Sequence, residues 1–311
     1  MKIYNQRILI AVLNWGQGHV YRSVSLIQKL LSQGNTLFIA CDLQQEKVFR
    51  QYFKDSVSFH FLSGYAFHFS EKRSIFWQNS GRINQLLKQH KADHLECEKL
   101  VVSQKIDVVI SDHRYGFFSK NVPSIFLTHQ CQLPTKNKIL QMTHQRLIRK
   151  NFNEIWVLDD AQHTFAGKLS NAHGFKKTVF LGVISRFENL KNTVVKDKTV
   201  AVISGPYPYN QLLLRAVERF AEQHQQHVYC ISTLPTQSSF LTNVPLDEQD
   251  EMLLRANTII SHSGYTTLLD LHFLKPDKVI LIPSPHQAEQ QYLADLHRNK
   301  YVVLKGYEEL L

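Results

Sequence analysis

Short β-branched runs alternate with longer stretches of helical period along most of the chain, the pattern of βα units wound on a parallel sheet. In the first half the apolar runs predict strands at 7–13, 36–41, 57–62, 106–110, 123–127 and 154–158. Between the first two, Val20, Val24, Ile27 and Leu31 share one face of a helix expected over 19–33, and a long helix is expected over 82–103. The pattern lapses at 186–198, a polar stretch without periodicity that reads as a linker. A second series follows: strand 199–203, helix 209–224, strand 227–232, helix 247–255, strand 257–260, helix 265–273, strand 278–282, helix 287–298 and strand 301–304. No internal repeat interrupts it. The expectation is an α/β chain of two doubly wound Rossmann-like domains, 1–185 and 199–311, facing across a cleft with ligands at the carboxyl ends of the strands.

Composition narrows the class. With 311 residues, 43% apolar and 20% charged, the chain is neither disordered nor collagenous nor a disulfide scaffold. Cys41, Cys97, Cys131 and Cys230 are far apart, with no Cys-x-x-Cys pair, and read as reduced, buried thiols. No apolar run approaches the ~20 residues that span a bilayer. Ile8–Leu13 leads into Asn-Trp-Gly with no cleavage site, so it is read as a buried first strand and a cytoplasmic protein is expected. The net charge of +10 points to nucleic acid, an anionic membrane or phosphorylated ligands. No aromatic-interleaved basic stripe is present, which disfavours nucleic acid. Lys136, Lys138, Arg146, Arg149 and Lys150, with Ile139, Leu140, Met142, Leu147 and Ile148, read either as a helix resting on an anionic membrane or as one packed on its own domain. The aromatic-rich stretch 65–77 (Tyr65, Phe67, Phe69, Phe76, Trp77) reads as an acceptor-cleft lining or as core.

Five strand ends carry chemistry. Asn14-Trp15-Gly16-Gln17-Gly18-His19 follows the first strand, where glycines admit a close ligand and a helix start favours an anion. A dinucleotide fingerprint is incomplete there: Asp42 stands as an acid after the second strand, but the third glycine position is Tyr21. His19 is a candidate general base, and Asp112, ending the strand Val108-Val109-Ile110-Ser111, a candidate to orient it. Either could also be a plain cap or turn residue. Ser261-His262-Ser263-Gly264-Tyr265-Thr266-Thr267 at a helix start suits a phosphate, with Asp270 one turn on to take a ribose diol; a capping box is the alternative. Ser204-Gly205 ends another strand as a second phosphate-facing loop. Pro283–Tyr292 opens a helix with Glu289, Gln290 and Gln291, whose amides suit sugar hydroxyls.

In order, these segments resemble a GT-B glycosyltransferase of the MurG-like family 28, which includes bacterial UDP-N-acetylglucosamine transferases. The match is strongest over Leu254–Asp295, where Ile-Ile-Ser-His-Ser-Gly-Tyr-Thr-Thr-Leu-Leu-Asp is followed by Leu-Ile-Pro-Ser-Pro-His-Gln-Ala-Glu-Gln-Gln-Tyr. The resemblance implies that Ser263 and Gly264 hold the donor diphosphate, Asp270 (more usually Glu) the ribose, and Gln290 and Gln291 the transferred sugar. Gly182-Val-Ile-Ser-Arg186 is similar to a Gly-Asn-Pro-x-Arg element, which makes Arg186 a pyrophosphate candidate. The loop with Gly16 and Gly18 resembles the Gly-rich acceptor loop, one glycine short, with His19 at its histidine. A His19–Asp112 pair is similar to that of related small-molecule glycosyltransferases. GT-B folds normally carry helices crossing back to the first domain after the last strand; this sequence ends at Leu311.

The implied activity is transfer of a sugar from a UDP-sugar, UDP-N-acetylglucosamine among them, to a hydroxyl acceptor with inversion, and a lipid-linked acceptor and a peripheral place on the inner face of the cell membrane are included in the expectation. No cofactor and no metal are implied, and no Asp-x-Asp appears. Two alternatives stand beside it. The Gly-His-Val-Tyr-Arg run is also similar to a nucleotide-sugar hydrolase of pseudaminic acid synthesis, which uses water as acceptor. A non-catalytic nucleotide-sugar or nucleic-acid binding protein is the other.

Overall fold

The computed structural model describes residues 3–65, 83–190 and 194–311. The chain forms two compact units, the first carried chiefly by residues up to Arg186 and the second chiefly by Phe187–Leu311. Within 186–198, Phe187 is buried and residues 186–189 form a turn, while residues 191–193 lie outside the described residues.

The first unit holds a seven-stranded sheet of β1 (Arg7–Val12), β2 (Thr36–Cys41), β3 (Ser58–Phe61), β4 (Val108–Asp112), β5 (Ser124–Thr128), β6 (Glu154–Val157) and β7 (Thr178–Phe180) in the order β3-β2-β1-β4-β5-β6-β7. Every neighbouring pair is parallel. Ile8–Val12 of β1 are fully buried, as a strand covered by helices on both faces must be. Among the described residues its helices are α1 (Gly18–Ser32), α2 (Leu43–Phe53), α3 (Ile83–Ser103) and α4 (Lys138–Asn151). In α1, Val20, Val24, Ile27 and Leu30 are buried; Leu31, expected on that face, is only half-buried. The strand order reverses between β1 and β4, so the loops leaving these two strands diverge at their carboxyl ends, the place where open parallel sheets generally take ligands.

The second unit holds a six-stranded parallel sheet of β8 (Lys198–Val202), β9 (Val228–Ile231), β10 (Leu241–Asn243), β11 (Ala256–Ser261), β12 (Lys278–Leu281) and β13 (Val302–Val303), ordered β10-β9-β8-β11-β12-β13. Its helices are α5 (Tyr209–Gln223), α6 (Gln249–Leu254), α7 (Tyr265–Leu274) and α8 (Ala288–Leu296). The order reverses between β8 and β11, so the loops after those strands diverge at the equivalent place. Ala201, Leu213, Val217, Val228, Ile260 and Ile280 form the core of this unit, and Leu310 of a closing 3₁₀ turn packs onto it.

The βα alternation expected from the sequence is present. Among the described strands and α-helices, the sequence pattern does not show α2, β7 and β10. The expected helix over 247–255 opens instead as a 3₁₀ turn, Leu246–Glu248, before α6. All four cysteines are free and buried, and burial pushes the thiols of Cys41, Cys131 and Cys230 up to about 12. Among the described residues no helix is long and apolar enough to cross a membrane.

Candidate functional site

Each reversal point carries a cluster of polar side chains. In the first unit, β1 delivers the chain to an exposed Gly16 at φ +76°, a left-handed conformation that glycine adopts without strain. Two residues later α1 begins, and its second residue is His19. Val12 and Asp112 are partners on the paired strands β1 and β4, so the end of β4 lies beside this turn. The structure brings the two expected residues together: Nδ1 of His19 is 2.9 Å from Oδ2 of Asp112. Asp112 is wholly buried, whereas the His19 side chain keeps 13% of its surface exposed. Its Nε2 has no hydrogen-bond partner among the described residues.

Arg22, one turn along α1, was not anticipated as part of this cluster. It donates from Nε to Oδ2 of Asp112 at 3.0 Å and from Nη2 to Oδ1 of the same carboxylate. Its Nη1 lies 3.1 Å from Nδ1 of His129, which must accept because a guanidinium only donates. Its Nη2 is also 2.6 Å from Nδ1 of His19. His113, at φ +57°, completes the group, its ring edge-on to His19 at 5.8 Å and tilted against His129 at 5.7 Å.

Charge in this cluster is lopsided. Burial pushes the Asp112 carboxyl up, but Arg22 and then His19 outweigh it and hold it well below the usual carboxylate range. Burial, followed by Arg22, lowers the pKa of His19, with Asp112 acting the other way. His113 is lowered further, by burial and then by Arg22. The resting state is therefore a neutral imidazole beside an ionised, arginine-paired carboxylate.

Around this cluster the loop after β1 is tied down. Asn14 Oδ1 accepts from the Tyr65 N–H at 2.9 Å, and its Nδ2 donates to the Tyr65 carbonyl at 3.3 Å. Tyr65 donates in turn to Asp93, which Arg114 grips through Nε and Nη2. Tyr65 is thus half-buried scaffold; the rest of the aromatic stretch 65–77 singled out in the sequence lies, apart from Tyr65, outside the described residues. Asp42, weighed as a ribose acid, is the N-cap of α2. Its Oδ1 accepts from the N–H groups of Gln44 and Gln45, and Gln45 returns a bond to the Asp42 N–H.

In the second unit, Ser204 and Gly205 follow β8, with Gly205 at φ +102°. His262, Ser263 and Gly264 follow β11. His262 is buried, with Nδ1 2.9 Å from the Ser204 carbonyl and Nε2 3.0 Å from the Tyr307 hydroxyl. Facing a carbonyl, Nδ1 must donate, so Nε2 accepts from Tyr307; burial lowers this histidine to about 4. His262 therefore ties the Ser204–Gly205 loop to the closing turn with both ring nitrogens committed.

Gly264 is the N-cap of α7 and supplies no side-chain cap, so the capping box weighed for this segment is not formed. Such a helix start retains free N–H groups and the positive end of the dipole. Ser263, fully buried, donates to the Gln290 carbonyl at 2.8 Å. The Gln290 side chain accepts from the Ser284 N–H and donates to Gln287 Oε1, both at 2.9 Å, so its amide is spent on shaping its own loop. Gln291 is exposed, Thr266 is half-buried in the first turn of α7, and Asp270 is buried one turn further on. Arg186 belongs to the first unit: its guanidinium lies over the Tyr21 ring at 3.7 Å, with Nη1 3.5 Å from the Tyr52 hydroxyl.

Neither a family model nor a curated protein matches the sequence. The likeness to solved structures is one of fold. The spinosyn rhamnosyltransferase SpnG complexed with thymidine diphosphate is similar at TM-score 0.64 and 13% identity, over 98% of this chain and 88% of that one. The fold is that of the GT-B glycosyltransferases. The glycotransferase of kitacinnamycin matches at TM-score 0.61 and 14% identity, over 96% and 86% of the two chains. MurG of Acinetobacter baumannii matches at TM-score 0.52 and 10% identity, over 96% and 85%.

Proposed function

We propose that this protein is a glycosyltransferase that moves a sugar from a nucleoside diphosphate donor to a hydroxyl acceptor. The observation that carries this reading is the His19–Asp112 pair at the reversal point of the first sheet. With Nδ1 directed at Asp112, the lone pair of Nε2 is available to take the proton of an acceptor hydroxyl, and Asp112 stabilises the imidazolium that results. The acceptor oxygen then bonds to the anomeric carbon as the bond from that carbon to the diphosphate oxygen breaks. A single displacement of this kind inverts the anomeric centre. Charge that develops on the leaving diphosphate is stabilised at the start of α7 by the N–H groups that follow Ser263 and Gly264 and by the helix dipole. Ser204 and Gly205 supply a second phosphate-facing turn, and Asp270 receives the ribose. These roles need no metal or cofactor.

The donor is read as a UDP-sugar, with UDP-N-acetylglucosamine the first to test, on the sequence likeness of Leu254–Asp295 to the MurG-like family 28. SpnG holds thymidine diphosphate, so thymidine diphosphate sugars are the natural comparison. His262 and Gln290 act by shaping the donor loops, and Gln291 is the amide free to meet the sugar. Arg186, stacked on Tyr21, is the pyrophosphate candidate that the same sequence likeness adds.

The acceptor is read as a lipid-linked hydroxyl at the cytoplasmic face of a membrane. No acidic residue occurs from His113 to Asn153, and the outer face of α4 exposes Ile139 (77%) and Met142 (68%) among Lys136, Lys138, Arg146, Arg149 and Lys150. Basic side chains around protruding apolar ones suit an anionic lipid surface.

The test is release of nucleoside diphosphate from UDP- and thymidine diphosphate sugars, with and without acceptor alcohols. Acceptor-dependent release that disappears in His19→Ala supports the reading. Release that proceeds equally with water alone identifies the hydrolase, and no release from any donor overturns catalysis on sugar nucleotides.

A further inference from the structure

The reading above explains His19 and Asp112 but leaves Arg22 without a role, although it is the most committed side chain in the cluster. An arginine with 2% of its surface exposed is costly to bury unless every part of its fork is answered. Here the fork is answered by three separate elements. Two nitrogens meet the carboxylate that ends β4, the third meets His129 just past β5, and Nη2 approaches His19 of its own helix.

We propose that Arg22 is a positioning residue of the dyad, fixing Asp112 in the plane that orients His19 and competing with Asp112 for Nδ1 of His19. The inference rests on the glycosyl-transfer reading for its consequence, not for its geometry. Nδ1 of His19 stands 2.9 Å from a carboxylate oxygen and 2.6 Å from a guanidinium nitrogen. When Nδ1 carries the proton it donates to Asp112 and leaves Nε2 basic. When Nδ1 is bare it accepts from Arg22, and the proton moves to Nε2, where no base remains. Arg22 thus holds the balance between a competent and an incompetent tautomer. A cation at this range also opposes imidazolium formation.

Among the described residues, the groups that face His19 are few. Arg22 comes from α1, Asp112 and His113 from β4 and its end, and His129 from the end of β5. Asp112 is the only acid among them. Removing Arg22 therefore leaves the Asp112 charge unopposed, and the affinity of His19 for a proton rises.

The experiment is a ¹⁵N NMR titration of histidine-labelled protein, wild type, Arg22→Gln and Arg22→Lys, with His19→Gln to assign the resonance. In Arg22→Gln the His19 titration should move up by about one pH unit, and the Nδ1–H tautomer should gain population. In Arg22→Lys, which keeps the charge without the fork, the titration should move by less while the tautomer still shifts. Circular dichroism confirms that each variant is folded, and Arg22→Lys serves as the informative variant should Arg22→Gln not fold. His19 titration and tautomer that are unchanged in a folded variant overturn the proposal. The acid limb of kcat/KM should move with the NMR titration. Shifted titration in a protein that transfers no sugar overturns the glycosyl-transfer reading alone, because the NMR arm needs no turnover.

Discussion

Nδ1 of His19 lies 2.9 Å from Oδ2 of Asp112, joining the first turn of α1 to the buried carboxyl end of β4. Of the two, only His19 reaches solvent. The carboxylate is locked by Arg22, so it can orient the imidazole without competing for the acceptor proton.

His19→Ala should therefore lower kcat by about a thousandfold with donor affinity unchanged. Asp112→Asn should lower kcat by about a hundredfold or more, because an amide can stabilise the wrong tautomer. Steady-state rates paired with calorimetric donor affinity check both; turnover that survives His19→Ala removes it as the base.

Acid should unfold the protein through its buried histidines. An unfolded-chain histidine titrates near 6.5, whereas burial lowers His262 and His144 to about 4 in the fold. Between these values the unfolded chain binds protons that the folded chain does not, so stability is full above pH ~6.5 and falls as pH drops towards 4. Between pH 7.5 and pH 5 His262 alone contributes about 2 kcal/mol to this loss. Urea midpoints at pH 7.5 and pH 5 measure it. The gap between them should narrow in His262→Gln, and an unaltered gap contradicts the assignment.

The loop after β1 depends on a close approach at Gly64. A Cβ there would meet Nδ2 of Asn14 at 2.1 Å, and that amide is bonded to both backbone groups of Tyr65. Gly64→Ala should cost about 1–3 kcal/mol, read by chemical denaturation. A change within experimental error would show that the loop adapts freely.

If the outer face of α4 meets lipid, sedimentation with vesicles containing phosphatidylglycerol should fall in Ile139→Ser/Met142→Ser and with added salt. It should be absent for neutral vesicles. Equal sedimentation of both proteins would leave α4 an ordinary surface helix.

Much of this architecture was legible because strands covered on both faces read as unbroken apolar runs, Ile8–Val12 most plainly. The clusters were legible as the polar residues that end those runs. What escaped had weaker or ambiguous signals. β7 and β10 are three residues long, too short for a period. The signal for α2 lies in the Asp42–Gln45 capping box, four residues whose Asp42 also fits the acid of an incomplete dinucleotide fingerprint. Arg22 stands in the Gly-His-Val-Tyr-Arg run, but its partners Asp112 and His129 are 90 and 107 residues away, so only the folded sheet brings them together. The amide of Gln290, expected on the sugar, is turned inward by Ser284 and Gln287, a loop geometry that residue type does not encode.

The most direct test of the central claim is calorimetric titration with UDP, UDP-N-acetylglucosamine, thymidine diphosphate and NAD, in chelator and then in magnesium. The account predicts that a pyrimidine nucleoside diphosphate binds without metal and weakens by about tenfold in Ser263→Ala and Asp270→Ala. Binding of NAD alone, or of none of the four, would contradict it.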